Sequence, residues 1–238
     1  TFAASIDAEM LNLTLYHAEN AYCSPDTYTT RENKGILAGF VATYYVNDPA
    51  HDTQGYVGYT SSQSTIYVSY RGSESIKNWI SDLDVALIDY PLCDSCQVHK
   101  GFYKAEQNTI GDVINEVKSL KAQFPSYSIV VTGHSLGAAL ATLTALDLII
   151  AGYTDTSLYN FGSPRVGNVE FSIYASAILT SHARVTHHKD LIVHSPSTER
   201  YQHINSEYYE PNNDIPVTLT KCSGYEDHDC RLVMLTDC

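Results

Sequence analysis

Basic residues are scarce in this chain: 14 lysines and arginines stand against 27 aspartates and glutamates among 238 residues, a formal net charge of −13. A nucleic-acid partner is excluded by that balance, because phosphate backbones are met by clustered basic side chains and those here are scattered. Long apolar runs are missing as well, and no stretch approaches the roughly 20 residues a membrane helix needs. Repeats, low-complexity tracts and linkers are also lacking, so residues 1–238 are read as one domain large enough for a single core. Cysteines number six, at positions 23, 93, 96, 222, 230 and 238. Only Cys93 and Cys96 are spaced like half of a zinc site, so neither a metal nor a cofactor is expected, and an even number of cysteines suits oxidised pairs. The chain opens on Thr1 with no apolar segment at its start. It therefore reads as the mature form of a secreted protein, which Asn12-Leu13-Thr14, an acceptor triplet for N-glycosylation, suits.

What is present alternates between two periods. Ser5 to Tyr22 places Ile6, Met10, Leu13 and Tyr16 or His17 at helical spacing. Leu37–Val46 and Gly55–Arg71 are rich in Tyr, Val, Ile and Thr, and the Ser-Ser-Gln within the second run predicts a hairpin turn. A helix is predicted over Ala105–Phe124, stopped by Pro125, followed by a strand over Tyr127–Thr132 and a helix over Ala138–Ala151. A strand over Ser157–Phe161, a helix over Val169–Leu179 and a strand over Ala183–His187 complete the alternation. Strands that alternate with helices predict an α/β fold with a mostly parallel central sheet and helices on both faces.

Between the strand at Tyr127–Thr132 and its following helix lies Gly133-His134-Ser135-Leu136-Gly137, which fits G-x-S-x-G in the strand–turn–helix context that gives the motif meaning. Side chains flanking such a sharp turn would collide with strand and helix, and the glycines avoid this. Ser135 would stand at a helix N-terminus, where free N–H groups favour a developing anion. A serine hydroxyl is a weak nucleophile at neutral pH, so a histidine base and an orienting carboxylate are expected downstream.

Six blocks extend this signal: Tyr70 to Ser73, Ile76 to Leu83, Val98 to Phe102, the run from Gly133, Asn160 to Asn168, and Arg184 to His194. In content and order they resemble the class 3 lipases, the fungal triacylglycerol lipase family, whose fold is a variant α/β hydrolase. The resemblance implies a secreted carboxylic ester hydrolase that acts on acylglycerols at an oil–water interface through an acyl-enzyme, as a monomer and without a cofactor. Carried across position by position, it implies Ser135 as nucleophile, Asp190 as the triad acid, and Ser73 with the Leu136 N–H as oxyanion hole. It implies a helical lid at about 74–84, and within that segment Ile76, Trp79, Ile80 and Leu83 recur at i, i+3, i+4 and i+7 as one apolar stripe.

The pattern departs from the family at the tail, where no Asp-His-x-x-Tyr-Phe-Gly string occurs. Two alignments stay open. One makes His228, ten residues before Cys238, the catalytic histidine; the other makes Cys222 to Cys230 a loop that precedes the histidine, so that His228 is a loop residue. Disulfides Cys23–Cys238, Cys93–Cys96 and Cys222–Cys230 are implied by the resemblance alone. The alternatives are a feruloyl or other soluble-ester esterase, suggested by the Cys93-to-His99 string, or a non-catalytic lipid-binding relative that lacks the base.

Overall fold

The structure is a computed structural model and describes residues 7–24, 35–73, 84–188, 190–211 and 219–227. Its first helix, α1 (Ala8–Asn20), starts where Asp7 Oδ1 accepts from the N–H groups of Glu9 and Met10 at 3.0 and 3.1 Å. Two antiparallel hairpins follow, formed by β1 (Phe40–Asp48), β2 (Thr53–Thr60) and β3 (Thr65–Tyr70), with the expected turn at residues 61–64. A small antiparallel pair, β4 (Leu87–Asp89) and β5 (Gln97–His99), leads into α2 (Lys100–Gln107) and α3 (Ile110–Gln123). The continuous helix expected over 105–124 is thus corrected to two. The break at Asn108–Thr109 keeps Ala105, Ile110, Val113, Val117 and Leu120 buried on both sides, so the apolar period alone does not reveal it.

The remaining units are β6 (Ser128–His134), α4 (Leu136–Ile150), β7 (Thr156–Phe161), α5 (Val169–Ile178), β8 (His182–His187), β9 (Glu207–Glu210) and β10 (Thr220–Lys221). They complete an eight-stranded sheet in the order β1-β2-β3-β6-β7-β8-β9-β10. Pairing is parallel from β3 through β9 and antiparallel at both edges, an α/β-hydrolase arrangement.

Successive strand residues face opposite sides of this sheet, and both sides are covered. Val57, Ile66, Val68, Ile129, Val131 and Leu158 pack with α3, α4 and α5, while Tyr56, Tyr67, Val130 and Tyr159 lie under α1. Strands buried on both faces are apolar throughout instead of alternating, as Ile129 to Val131 show. Helix α4 is the central one: Leu136 to Leu146 are all buried, as expected of a helix apolar around its whole circumference. Each of its buried leucines contributes roughly 1.5–3 kcal/mol.

Cys93 and Cys96 are joined in a disulfide, as the resemblance implies. Cys222 is also disulfide-bonded, and its expected partner Cys230 lies outside the described residues. Cys238, the partner implied for Cys23, also lies outside the described residues. Among the described residues no helix is long and apolar enough to cross a membrane.

Candidate active site

Four parallel strands end at one edge of the sheet: Tyr70 of β3 pairs with Gly133, and His134 of β6 with Phe161 of β7, while β8 ends at His187. The carboxyl edge of a parallel sheet is where loops can converge on a substrate, and each of these strands delivers one candidate residue there. β3 runs into Arg71-Gly72-Ser73, β6 into Ser135, β7 into Gly162, and β8 into the loop that holds Asp190.

Ser135 sits at the turn between β6 and α4 with φ 57° and ψ −125°, a left-handed conformation costly for any residue with a β-carbon. Surrounding structure holds it there. Its N–H donates to Phe161 O at 3.0 Å, and its carbonyl accepts from Ala138 N–H at 3.0 Å, closing the first turn of α4. A β-carbon at Gly133 would strike the carbonyl of Gly137, and one at Gly137 would strike the carbonyl of Tyr70, so only glycine lets strand and helix approach this closely. The Ser135 side chain is buried, and its hydroxyl has no hydrogen-bond partner among the described residues. Leu136 N–H lies ahead of the first helical bond and is among the donors a helix start leaves over.

Gly72 brings the expected oxyanion segment against the serine: a β-carbon there would stand 3.0 Å from Ser135 Cβ and would overlap the Tyr22 hydroxyl. The next residue, Ser73, is buried and donates its hydroxyl to Asp52 Oδ2 at 3.0 Å. Asp52, itself left-handed at φ 51°, also pairs with the Arg71 guanidinium, so one carboxylate braces both sides of Gly72. Asp52 was not foreseen from the sequence. Its contact spans 21 positions, and no motif marks it.

On the other side of Ser135, Asp190 Oδ1 accepts from Ile192 N–H at 2.9 Å. Its Oδ2 and His134 Nε2 both flank Gly162, lying 2.7 and 3.3 Å from where a β-carbon there would be. His134 Nδ1 meets the Tyr22 hydroxyl at 2.8 Å. Burial lowers the pKa of His134, against the opposing pull of Asp190. Both residues line a cavity of about 820 Å3 whose other walls include Leu11, Leu15, Phe161, Val185, His187 and His188. Of the expected site, the structure therefore brings together Ser135, Leu136, Ser73 and Asp190. His228 and the lid residues Ile76, Trp79, Ile80 and Leu83 lie outside the described residues.

His99, in the Val98-to-Phe102 block, has a structural setting. Its Nδ1 accepts from Gly101 and Phe102 N–H at 3.1 and 3.3 Å, capping α2, and burial lowers its pKa to about 4. No group of three or more potential metal ligands occurs among the described residues.

Comparison with known proteins joins these observations. The profile described as Lipase (class 3) matches residues 67–200, from β3 through the Asp190 loop. The chain is 39% identical over 195 residues to the secreted mono- and diacylglycerol lipase A of Penicillium cyclopium, a match that covers 78% of this chain and 64% of that protein. It is 31% identical over 236 residues to the secreted mono- and diacylglycerol lipase 1 of Fusarium solani, covering 91% of this chain and 69% of that protein. Among solved structures, the Rhizomucor miehei lipase propeptide complex superposes with a TM-score of 0.87 at 31% identity, covering 96% of this chain and 76% of that one. The chain thus spans just under two thirds of the length of its Penicillium relative, yet the shared portion holds the sheet edge, the turn at Ser135 and the Asp190 loop. On sequence and fold together, the chain belongs to the class 3 lipases.

Proposed function

We propose that this protein is a secreted serine ester hydrolase that cleaves acylglycerols at a lipid surface through an acyl-enzyme. The observation that carries this reading is Ser135 itself. A strained serine at the start of a buried helix, with a hydroxyl that meets no partner among the described residues and the Gly72 backbone pressed against it, is costly to hold unless the hydroxyl is used. In the proposed reaction Ser135 Oγ attacks the ester carbonyl carbon as a histidine takes its proton, and the carbonyl oxygen becomes an oxyanion. Leu136 N–H and Ser73 stabilise that charge, with Asp52 holding the Ser73 side chain. Collapse breaks the ester bond and the histidine hands its proton to the departing alcohol. Water then attacks the acyl-enzyme, losing its proton to the same ring, and the acid leaves Ser135.

Asp190 is the proposed acid and His228 the proposed base. The secreted mono- and diacylglycerol lipases among its relatives support acylglycerols as the substrate class. The test is a fluorophosphonate probe followed by peptide mapping, alongside hydrolysis of a short-chain triacylglycerol below and above its solubility limit. An adduct on Ser135 that disappears in Ser135→Ala, and a rate that jumps when droplets form, is the expected result. No adduct removes the hydrolase reading; an adduct without the jump favours a soluble-ester esterase. His228→Ala should lower turnover about 10⁶-fold, and an unchanged rate would give the proton transfer to another imidazole.

A further inference from the structure

Asp190 meets its own loop through Ile192 N–H, which donates to its Oδ1 at 2.9 Å, and through its own N–H, which donates to His187 O at 3.1 Å. The residues that follow turn sharply, and their carbonyls point inward instead of pairing with a strand. Four of them are captured from outside the loop, Ser195 O by the Arg165 N–H at 2.9 Å. His203 Nε2–H donates to Val193 O at 2.7 Å, and Arg165 Nη1 donates to His194 O at 2.8 Å and to Pro196 O at 2.6 Å. His203 and Arg165 are buried, at 4% and 2% exposure, so these bonds are shielded from water.

One carboxylate holds both captors. Glu226 Oε1 accepts from Arg165 Nε at 2.7 Å and from His203 N–H at 3.0 Å, and Glu226 Oε2 accepts from Arg165 Nη2 at 2.9 Å. The Arg165 contact is bidentate, the geometry that fixes a guanidinium in orientation as well as in place. Burial would raise the pKa of Glu226, but hydrogen bonds from Arg165 and from the His203 N–H, with the Arg165 charge, outweigh it and hold the pKa well below the usual carboxylate range. The second buried cation nearby, Arg184, has its own counterion in Glu207 at 2.7 Å, so Glu226 serves Arg165.

We propose that Glu226 is a positioning residue for the reaction: by locking Arg165 and His203 against the carbonyls of residues 193–196, it sets where the Asp190 carboxylate stands at the site. The inference rests on the reading of Asp190 as the triad acid. It gives Glu226 a role 36 residues away in sequence from the group it serves, and without contact with substrate.

A merely structural role would cost stability; a positioning role must also alter the base that Asp190 supports. A carboxylate beside an imidazole favours the imidazolium, so a displaced Asp190 lets the ring lose its proton at lower pH. The experiment measures kcat, KM and the acidic limb of the kcat/KM profile on a soluble p-nitrophenyl ester for wild type, Glu226→Gln and Asp190→Asn, with melting temperatures alongside. For Glu226→Gln we expect kcat to fall about 10–100-fold with KM within about twofold, and the acidic limb to move down by about one pH unit. Asp190→Asn should move the limb the same way. Should Glu226→Gln not fold, Glu226→Ala is tested with added formate, which should restore kcat in a saturable manner. An acidic limb that stays in place in folded Glu226→Gln while Asp190→Asn moves it, or Glu226→Ala that formate does not restore, overturns this inference alone. An Asp190→Asn variant with wild-type kinetics overturns the triad reading and this inference with it.

Discussion

His17 shows how far a residue's surroundings can move its chemistry. It lies buried under α1, stacked on Tyr67 at 3.9 Å between ring centroids, with Nδ1 against the Tyr56 hydroxyl at 2.8 Å. Burial lowers its pKa from 6.5 to about 3, so the folded protein holds it neutral. The unfolded chain takes up the proton first as pH falls, so this residue's contribution is whole above about 6.5 and is lost down to about 3, by about 1.4 kcal/mol per pH unit. His17→Gln should therefore be less stable than wild type at pH 7, and the gap in melting temperature should narrow by pH 4.5. A gap that stays constant over that range would show that His17 does not couple folding to protons. Legibility also divides at this scale. Ser135 announces itself because its neighbours in sequence are its neighbours in space, whereas Asp52 reaches Ser73 across 21 positions and Glu226 reaches Arg165 across 61. A one-dimensional pattern carries no trace of a contact whose two halves are ordinary charged residues in separate loops.

Between elements, the junction of α2 and α4 holds two neighbouring carboxyls, a buried one on Glu106 and a half-buried one on Asp147. Glu106 is fully buried, and Gln107 Nε2 donates both to its Oε2 at 2.9 Å and to Asp147 Oδ2 at 3.3 Å. Burial first, and Asp147 next, push the pKa of Glu106 well up, and burial raises that of Asp147, so Glu106 is the partner that keeps its proton. A carboxyl with a raised folded pKa contributes most at low pH, and its contribution falls as pH rises from the ordinary carboxylate range towards the folded value. Glu106→Gln keeps the shape without the ionisation. It should melt higher than wild type at pH 8, by the equivalent of about 1–2 kcal/mol, with the difference closing towards pH 4.5; equal melting at pH 8 would contradict a protonated Glu106. The same region shows why periodicity failed to find the break between α2 and α3. Asn108 and Thr109 interrupt the backbone, but Thr109 Oγ1 returns to Glu106 O at 3.1 Å and the buried stripe continues in phase.

For the molecule as a whole, a net charge of −13 sets which lipid surfaces it can approach. An anionic surface repels it and a zwitterionic one does not, and salt screens the difference because the Debye length falls to about 8 Å at 0.15 M. Adsorption to anionic emulsion droplets should be weaker than to zwitterionic droplets at low ionic strength and should approach it as salt is added. Salt-independent adsorption would point to a local surface that overrides the net charge. At this scale the class of fold was legible, because the strand–helix alternation from Tyr127 to His187 dictates a parallel centre. The edge formed by β9 and β10 was not, since strands of four and two residues are too short to show a period.

The conformation of Ser135 has a consequence for how such a chain persists. Glycine at 135 would relax the positive-φ turn, so backbone conformation by itself ranks serine as the inferior occupant of that position. A population filtered only for proteins that fold would drift away from it. The oxygen at that bend thus works against the interest of the scaffold that carries it, a burden that the proposed attack by Ser135 accounts for.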